Sequence, residues 1–197
     1  PNIVINTPIC VNNVLNLTAT GGVSYSWTGP NGFIAATSNP TIMANSTAYS
    51  GSYMVTVTDA NGCSASTSAN AIINPLPNAN ITALNNTGCS PVCATFNISS
   101  STPIVTANWT LGDGSVGTGN TVNSCYITTG IYTVNAVVTD ANGCTNTAQN
   151  IAEVYPKPIA DFNLAPLKPI LNIDPEVTFT DASHSANIVS WQWYFMN

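Results

Sequence analysis

The chain has 197 residues, a formal net charge of −6 and a hydrophobic share of 44%, but only 5% of its residues are charged. Globular domains average about 25% charged residues, so the surface polarity here must come mainly from Asn, Thr and Ser. Arginine is absent and the only lysines are Lys157 and Lys168, which excludes the electrostatic attraction that nucleic acids and anionic membranes require. No apolar run reaches the roughly 18 residues of a membrane-spanning helix, so we expect no membrane insertion.

Short segments rich in Val, Ile, Thr and Tyr follow one another along the chain, separated by Gly, Pro, Asn and Ser. Residues 14–19, 131–138 and 177–180 are examples, and this pattern is typical of β-strands. Strands spaced about ten residues apart, with turn residues between them, favour antiparallel sandwiches. The sequence therefore predicts an all-β chain of tandem immunoglobulin-like β-sandwiches.

An internal repeat divides the chain into modules. The hexapeptide Thr-Asp-Ala-Asn-Gly-Cys at 58–63 recurs letter for letter at 139–144, and the same offset relates the Pro-x-Pro at 75–77 to that at 156–158. A Pro-x-Pro is an extended spacer that cannot join a central strand, so we place module boundaries there.

Three modules follow from this division: module one at 1–75, module two at 76–156, and module three at 157–197. We expect module three to be the N-terminal part of a further module, truncated here and completed either by its own chain or by a strand of a partner. The chain opens at Pro1 without an initiator Met or a signal peptide, so we expect a processed product or an excerpt.

Six cysteines with a single histidine indicate disulfides and an oxidising, extracellular compartment. Cys10 and Cys89 each precede an early core strand, and each Asn-Gly turn ends in a cysteine. The predicted pairs are Cys10–Cys63, Cys89–Cys144 and Cys93–Cys125. The alternative is a zinc site made of Cys89, Cys93, Cys125 and Cys144, although it lacks a second closely spaced pair.

Module two resembles the PKD domain family in three segments: Trp109-Thr-Leu-Gly-Asp-Gly114, Gly130-Ile-Tyr132-Thr-Val134 and Val137-Val-Thr-Asp-Ala-Asn-Gly143. Two signature positions differ, because Thr110 and Leu111 stand where the family has Asp and Phe. The richness in Asn and Thr and the Asn-Gly-Cys endings are similar to repeat regions of Bacteroidetes surface proteins, including gliding adhesins and other type IX secretion substrates. The resemblance implies modules that act as spacers or recognition surfaces.

The residues that enzymes need are scarce. His184 is the only histidine and lies in a loop-like run, so we expect a solvated residue and not a catalytic base. Modules one and two hold only four carboxylates, too few for a facing catalytic pair. These are Asp59, Asp113, Asp140 and Glu153. We expect no enzyme and no obligatory cofactor.

Calcium is the one metal that the turns favour, because it prefers hard oxygen ligands. The candidate ligands are Asp59, Asn61, Asp113, Asp140 and Asn142. The alternative is that these side chains form Asx turns without a metal. A further acidic group in module three comprises Asp174, Glu176 and Asp181.

Aromatic side chains are the candidates for carbohydrate contacts. Trp27, Trp109 and Trp193 share one repeat position and are expected in the cores, together with the neighbouring Tyr25 and Trp191. The loop aromatics that remain are Tyr49, Tyr126 and Phe33.

Two functions remain open. The first is a stalk or adhesin spacer of a large bacterial surface protein, whose partners are neighbouring modules and possible surface polysaccharides or proteins. The second is a carbohydrate-binding accessory module, which requires a planar strip of aromatic residues on an exposed sheet face.

Overall fold

The computed structural model describes residues 1–165, 167, 176–185 and 188–195. Over these residues the chain is all-β and forms tandem antiparallel immunoglobulin-like β-sandwiches, which confirms the predicted fold class. Lys168 and Asp174 lie outside the described residues.

Module one packs two main sheets face to face. Its strands are β1 (Asn2–Ile5), β2 (Ile9–Cys10), β3 (Asn13–Thr20), β4 (Ser24–Thr28), β5 (Ile34–Ala35), β6 (Thr41–Ala44), β7 (Gly51–Thr58), β8 (Ser64–Ala71) and β9 (Ile73–Asn74). One sheet has the order β1-β3-β6 and the other β5-β4-β7-β8, while β2 pairs with β9 in parallel. Short 3-10 helices occupy Pro30–Gly32 and Thr47–Tyr49.

Module two repeats this arrangement with longer strands. They are β10 (Ala79–Leu84), β11 (Thr87–Cys89), β12 (Val92–Ser100), β13 (Ile104–Thr110), β14 (Val116–Thr118), β15 (Thr121–Tyr126), β16 (Gly130–Asp140) and β17 (Thr145–Tyr155). The sheets have the orders β10-β12-β15 and β11-β17-β16-β13-β14, and β11 pairs with β17 in parallel as β2 does with β9.

Alternation of apolar and polar residues places one face of each strand in the core. In β3 the side chains of Leu15 and Leu17 are buried and the polar Asn16 between them is exposed. In β7 the side chains of Tyr53 and Val55 are buried and Met54 between them is exposed. Each fully buried side chain of this size contributes about 1.5–3 kcal/mol through the hydrophobic effect. Module two has its own core, which includes Phe96, Trp109 and Val134.

The two modules anchor their aromatic core residues in the same way. Trp27 and Trp109 are both 1% exposed, and each indole N–H donates to a backbone carbonyl ten residues later, at 2.9 Å and 2.7 Å respectively. The hydroxyls of Tyr53 and Tyr132 each donate to the carbonyl four residues earlier, which is the tyrosine corner of immunoglobulin-like sandwiches. The repeated sequence landmarks therefore mark equivalent structural positions.

Module three differs from the prediction at its tryptophans. Its described strands are β18 (Phe162–Ala165) and β19 (Thr178–Asp181), which pair antiparallel. Trp193 contacts Phe162 and Phe179 but is 41% exposed, and Trp191 is 55% exposed. The expectation that both tryptophans are buried is wrong for the described residues, because these provide one strand pair and no second sheet to cover the rings.

The disulfides differ from two of the three predicted pairs. Cys10 is joined to Cys144, with 5.6 Å between their Cα atoms, so the pairs Cys10–Cys63 and Cys89–Cys144 are wrong. The third pair, Cys93 with Cys125, is present between facing positions of β12 and β15. Cys63 and Cys89 are free and exposed.

Strand length explains the correction. Cys144 immediately precedes β17, whereas Cys89 lies beside Tyr155 at the far end of that strand. The 11 residues of β17 span about 36 Å, and a disulfide requires Cα atoms within about 7 Å. The same holds in module one, where β8 and β9 separate Cys63 from Asn74 and its neighbour Cys10. The first and last cysteines of one module therefore lie at opposite ends of it.

We predict that the double variant Cys93→Ala/Cys125→Ala destabilises module two alone. This disulfide has a sequence separation of 32 residues, and its loss costs about 4 kcal/mol on the chain-entropy model. Amide hydrogen exchange measures the loss at Val134 and Val138 in module two. Val55 and Val57 of module one are the internal control, and an equal loss there would contradict the assignment of this bond to one module.

Candidate functional site

The linker between modules one and two has a defined path. Pro77 is buried, and its carbonyl accepts a hydrogen bond of 2.9 Å from the side-chain amide of Asn146. Since proline cannot donate to a sheet ladder, Pro75 and Pro77 end the pairing of β9 before β10 begins. Asn146 was not singled out from the sequence, because one Asn among many carries no distinguishing signal. The linker is therefore fixed at Pro77 by a side-chain hydrogen bond from module two, in addition to its peptide bonds.

The turn that ends β16 presents Cys144 to module one. One carboxylate oxygen of Asp140 accepts from the backbone N–H of Asn142 and of Cys144, both at 2.9 Å. Asp140 is 6% exposed and Cys144 is fully buried. A carboxylate that is buried without cations must be hydrogen-bonded, and these two bonds meet that need.

The equivalent turn of module one has the same geometry in a different environment. Asp59 accepts from the N–H of Asn61 at 2.8 Å and of Cys63 at 2.9 Å. Asp59 is nevertheless half-buried and Cys63 is exposed. The turn itself therefore does not bury its cysteine; contact with the end of a preceding module does.

Cys10 is fixed on the other side of the junction. Its strand, β2, is held by backbone bonds from Ile9 to Ile72, 3.1 Å, and from Val11 to Asn74, 2.9 Å. Cys10 therefore lies next to the residue that precedes the Pro75–Pro77 linker. The linker and the Cys10–Cys144 bond are two covalent connections between the same two module ends.

The calcium candidates are not brought together. Asp113 lies in the turn after β13, at the end of that strand away from Asp140, and Asp59 lies in the other module. Within the described part of the chain, no group of three or more His, Cys, Asp or Glu side chains is placed to hold a metal. The aspartates form Asx turns with their own backbone, and calcium binding stays a prediction.

Hydrogen bonds at Asp113 shift its acidity. Burial alone raises the pKa of this carboxyl, but bonds from Ser115 and from the Ser124 hydroxyl, the latter at 3.0 Å, outweigh burial and lower the pKa below its ordinary value. In module three, Asp181 accepts from Ser183, which lowers the pKa of Asp181. Glu176 and His184 are exposed.

The loop aromatics serve the cores. Tyr126 is 1% exposed and its hydroxyl donates to the carbonyl of Leu111 at 2.8 Å, so its selection as an exposed ligand residue is wrong. Phe33 packs edge-on against Tyr53, with ring centroids 5.5 Å apart, and Tyr49 is half-buried against the same core. The zinc alternative is also wrong, because Cys93, Cys125 and Cys144 are in disulfides.

Residues 74–154 match the model of the PKD domain family. Module two is therefore a PKD-like module, and the core Trp109, the tyrosine corner at Tyr132 and the Asp140 turn all lie within the matched region. No curated protein matches the chain.

Several solved structures are similar to the chain. The PKD1 domain of the Vibrio cholerae metalloprotease PrtV is 24% identical over 40% of this chain and 96% of that one, with a TM-score of 0.35. Fibronectin(III)-like modules of Clostridium thermocellum CbhA are 12% identical over 78% of this chain and 95% of that one, with a TM-score of 0.38. The amphioxus IgVJ-C2 molecule is 15% identical over 72% of this chain and 97% of that one, with a TM-score of 0.34. These TM-scores are too low for the functions of the three proteins to apply to this chain.

We predict that Asp140→Ala is more damaging than Asp59→Ala. Both variants leave two backbone N–H groups without their acceptor, but only in the buried turn is water excluded as a replacement. The expected losses in the free energy of unfolding are about 2–3 kcal/mol and below about 1 kcal/mol respectively. Urea unfolding of both variants measures this difference, and equal losses would show that the Asp140 turn is not buried at a junction.

We predict that Tyr126 makes the PKD-like module sensitive to alkali. Burial first, and then the charge of Asp113, raise the pKa of Tyr126 to about 12, above the unfolded value of about 10. The neutral hydroxyl therefore contributes stability that is fully present below about pH 10 and is lost as the pH rises through about 12. Tyr126→Phe should flatten this loss in unfolding free energy over that range, and an unchanged slope would contradict it.

Proposed function

We propose that this chain is an extracellular spacer segment of a surface protein, a stalk that holds a more distal region at a fixed distance and orientation. The observation that carries the proposal is the Cys10–Cys144 bond across the junction of modules one and two. A disulfide inside a module stabilises that module, whereas one between modules fixes their relative position. Fixed spacing is the property that a stalk requires.

The chemistry of the chain supports an extracellular setting. Two disulfides are typical of secreted and surface proteins, and PKD-like and immunoglobulin-like modules are non-catalytic folds. Among the described residues, no helix is long and apolar enough to cross a bilayer. The finer proposal of a gliding adhesin or another type IX secretion substrate rests on the sequence resemblance alone.

The surface of modules one and two favours a spacer over a carbohydrate-binding module. Within residues 1–156, all of which the structure describes, Tyr155 is the only aromatic side chain in the exposed class, at 45%. The outward positions of β8 and β17 are mostly Ser, Thr, Asn and Gln. A single exposed ring does not make the planar strip that stacking on a sugar chain needs, so for modules one and two the spacer is the better supported function.

Force spectroscopy on the chain, pulled by its two ends, tests the spacer proposal. The segment between Cys10 and Cys144 has a sequence separation of 134 residues, which corresponds to about 45 nm of extended chain. This length should be inaccessible to force while the bond is intact and should be released after reduction.

A matched pair of variants separates the two disulfides in this experiment. Cys10→Ser/Cys144→Ser should release the extra length without reductant. Cys93→Ala/Cys125→Ala should not, because that bond lies inside the loop that Cys10–Cys144 closes. If the oxidised chain and the Cys10→Ser/Cys144→Ser variant extend equally, the modules are not clamped together and the rigid stalk is ruled out.

A further inference from the structure

The two free cysteines occupy the same structural positions as the two cysteines that form the junction. Cys89 is in register with Tyr155 in the parallel pair of β11 and β17, as Cys10 is with Asn74 in the pair of β2 and β9. Each therefore lies at the C-terminal end of its module, beside the Pro-x-Pro linker.

The second equivalence concerns the opposite end of each module. Cys63 and Cys144 close the same turn, with backbone N–H to carbonyl bonds of 2.9 Å from Asp59 to Cys63 and of 3.0 Å from Asp140 to Cys144. At the junction in this chain, Cys10, which lies at the C-terminal end of module one in space, is bonded to Cys144, the turn cysteine of module two. Each module thus has one cysteine of each kind, and only Cys63 and Cys89 are exposed as thiols.

The residues around Cys89 show independently that this cysteine faces a further module. Cys89 lies in a mainly apolar groove that also contains residues of module three. Its apolar lining includes Tyr155, Pro156, Pro158, Ile188 and Val189, and Ser185 and Ser190 are the polar residues at its wall.

The position of Ile188 in the repeat shows which part of module three is next to Cys89. Ile188 stands five residues before Trp193, as Ile104 stands five residues before Trp109. Ile104 is in register with Asp140, which begins the turn that carries Cys144. The segment beside Cys89 is therefore the equivalent of the segment beside the bonded turn at the first junction.

We propose that Cys89 forms an inter-module disulfide with the cysteine of an Asp-x-x-Gly-Cys turn in a module of the same type docked after Pro156, and that Cys63 is the corresponding turn cysteine for a module docked before module one. The partner is identified by chemistry: an exposed thiol at the end of an Asx-Gly turn, facing an apolar module end. The two thiols lose two protons and two electrons as the S–S bond forms. A small-molecule disulfide such as oxidised glutathione accepts them and is reduced to two thiols.

This inference goes beyond the proposed spacer role and does not depend on it, since it concerns which cysteines are joined. The test is a chain in which residues 157–197 are replaced by a second copy of residues 76–156. The new linker then reads Tyr155-Pro156-Leu-Pro, which matches Asn74-Pro75-Leu76-Pro77 in length and proline spacing. In the second copy, Thr145→Ser gives the turn peptide a distinct mass and Thr87→Ser gives the Cys89 peptide a distinct mass, so that each cysteine is assigned to its own copy.

The extended chain is refolded in a buffer of reduced and oxidised glutathione, alkylated, and digested without reduction. Asp-N and chymotrypsin are suitable, because residues 1–156 contain no Lys or Arg for trypsin. We expect Cys89 of the first copy joined to Cys144 of the second, with Cys10–Cys144 of the first copy also present. The alkylated fraction of the first-copy Cys89 should fall from nearly complete in the 197-residue chain to below about one tenth, since a bonded sulfur does not react.

A control variant keeps the result interpretable. Cys89→Ser in the first copy should leave Cys144 of the second copy alkylated while both Cys93–Cys125 bonds persist, which shows that the added module has folded. The proposal is overturned if the first-copy Cys89 is alkylated while Cys10–Cys144 is formed. It is equally overturned if Cys89 is joined to Cys63, to Cys93 or to glutathione.

Discussion

The length of a β-strand decides how this chain is cross-linked. An extended strand of about 36 Å lies between the turn cysteine and the far end of the PKD-like module, and no disulfide bridges such a distance. The two cysteines at opposite ends of a module cannot be joined to each other, so each can form a disulfide only with a cysteine outside that pair. The bond between Cys10 and Cys144 is the consequence, and the fixed junction, the buried Asp140 turn and the two exposed thiols all follow from it.

The cores and surfaces fit an object built from repeated units. Each sandwich buries its own tryptophan and its own tyrosine corner, so neither module needs the other to complete its hydrophobic core. The disulfide between Cys10 and Cys144 fixes the position of one module relative to the other. The hydrogen bond from Asn146 to Pro77 fixes the start of module two next to the linker. With so few charged side chains, the contact between modules depends little on ionic strength.

The sequence was sufficient to predict the fold, because side-chain alternation and the repeated Trp and Gly-x-Tyr landmarks report local geometry directly. The cysteine pairs depend on a different kind of information. The repeat aligns Cys10 with Cys89 and Cys63 with Cys144, but alignment along the chain does not say at which end of a sandwich each residue lies. The number of residues from Cys144 to Tyr155, if they form one extended strand, places these two residues at opposite ends of the sandwich.

The aromatic assignments failed for a related reason. Tyr126 lies at the end of a strand, where its sequence neighbours resemble a loop, yet its ring points into the core and its hydroxyl is held by Leu111. Trp193 occupies the sequence position of a core residue, but a side chain is buried only when a second layer covers it. Burial is a property of tertiary packing, and one residue's place in a repeat specifies only the face on which it lies.

The second covalent connection between the modules also changes what proteolysis does to the chain. A protease that cleaves any exposed loop between Cys10 and Cys144 breaks one connection, while the S–S bond keeps the two fragments joined. Residues 1–156 contain no Lys or Arg and therefore no cleavage site for a trypsin-like protease. Severing the two modules takes both a cut and a reductant, and disulfides persist in the oxidising environment outside the cell.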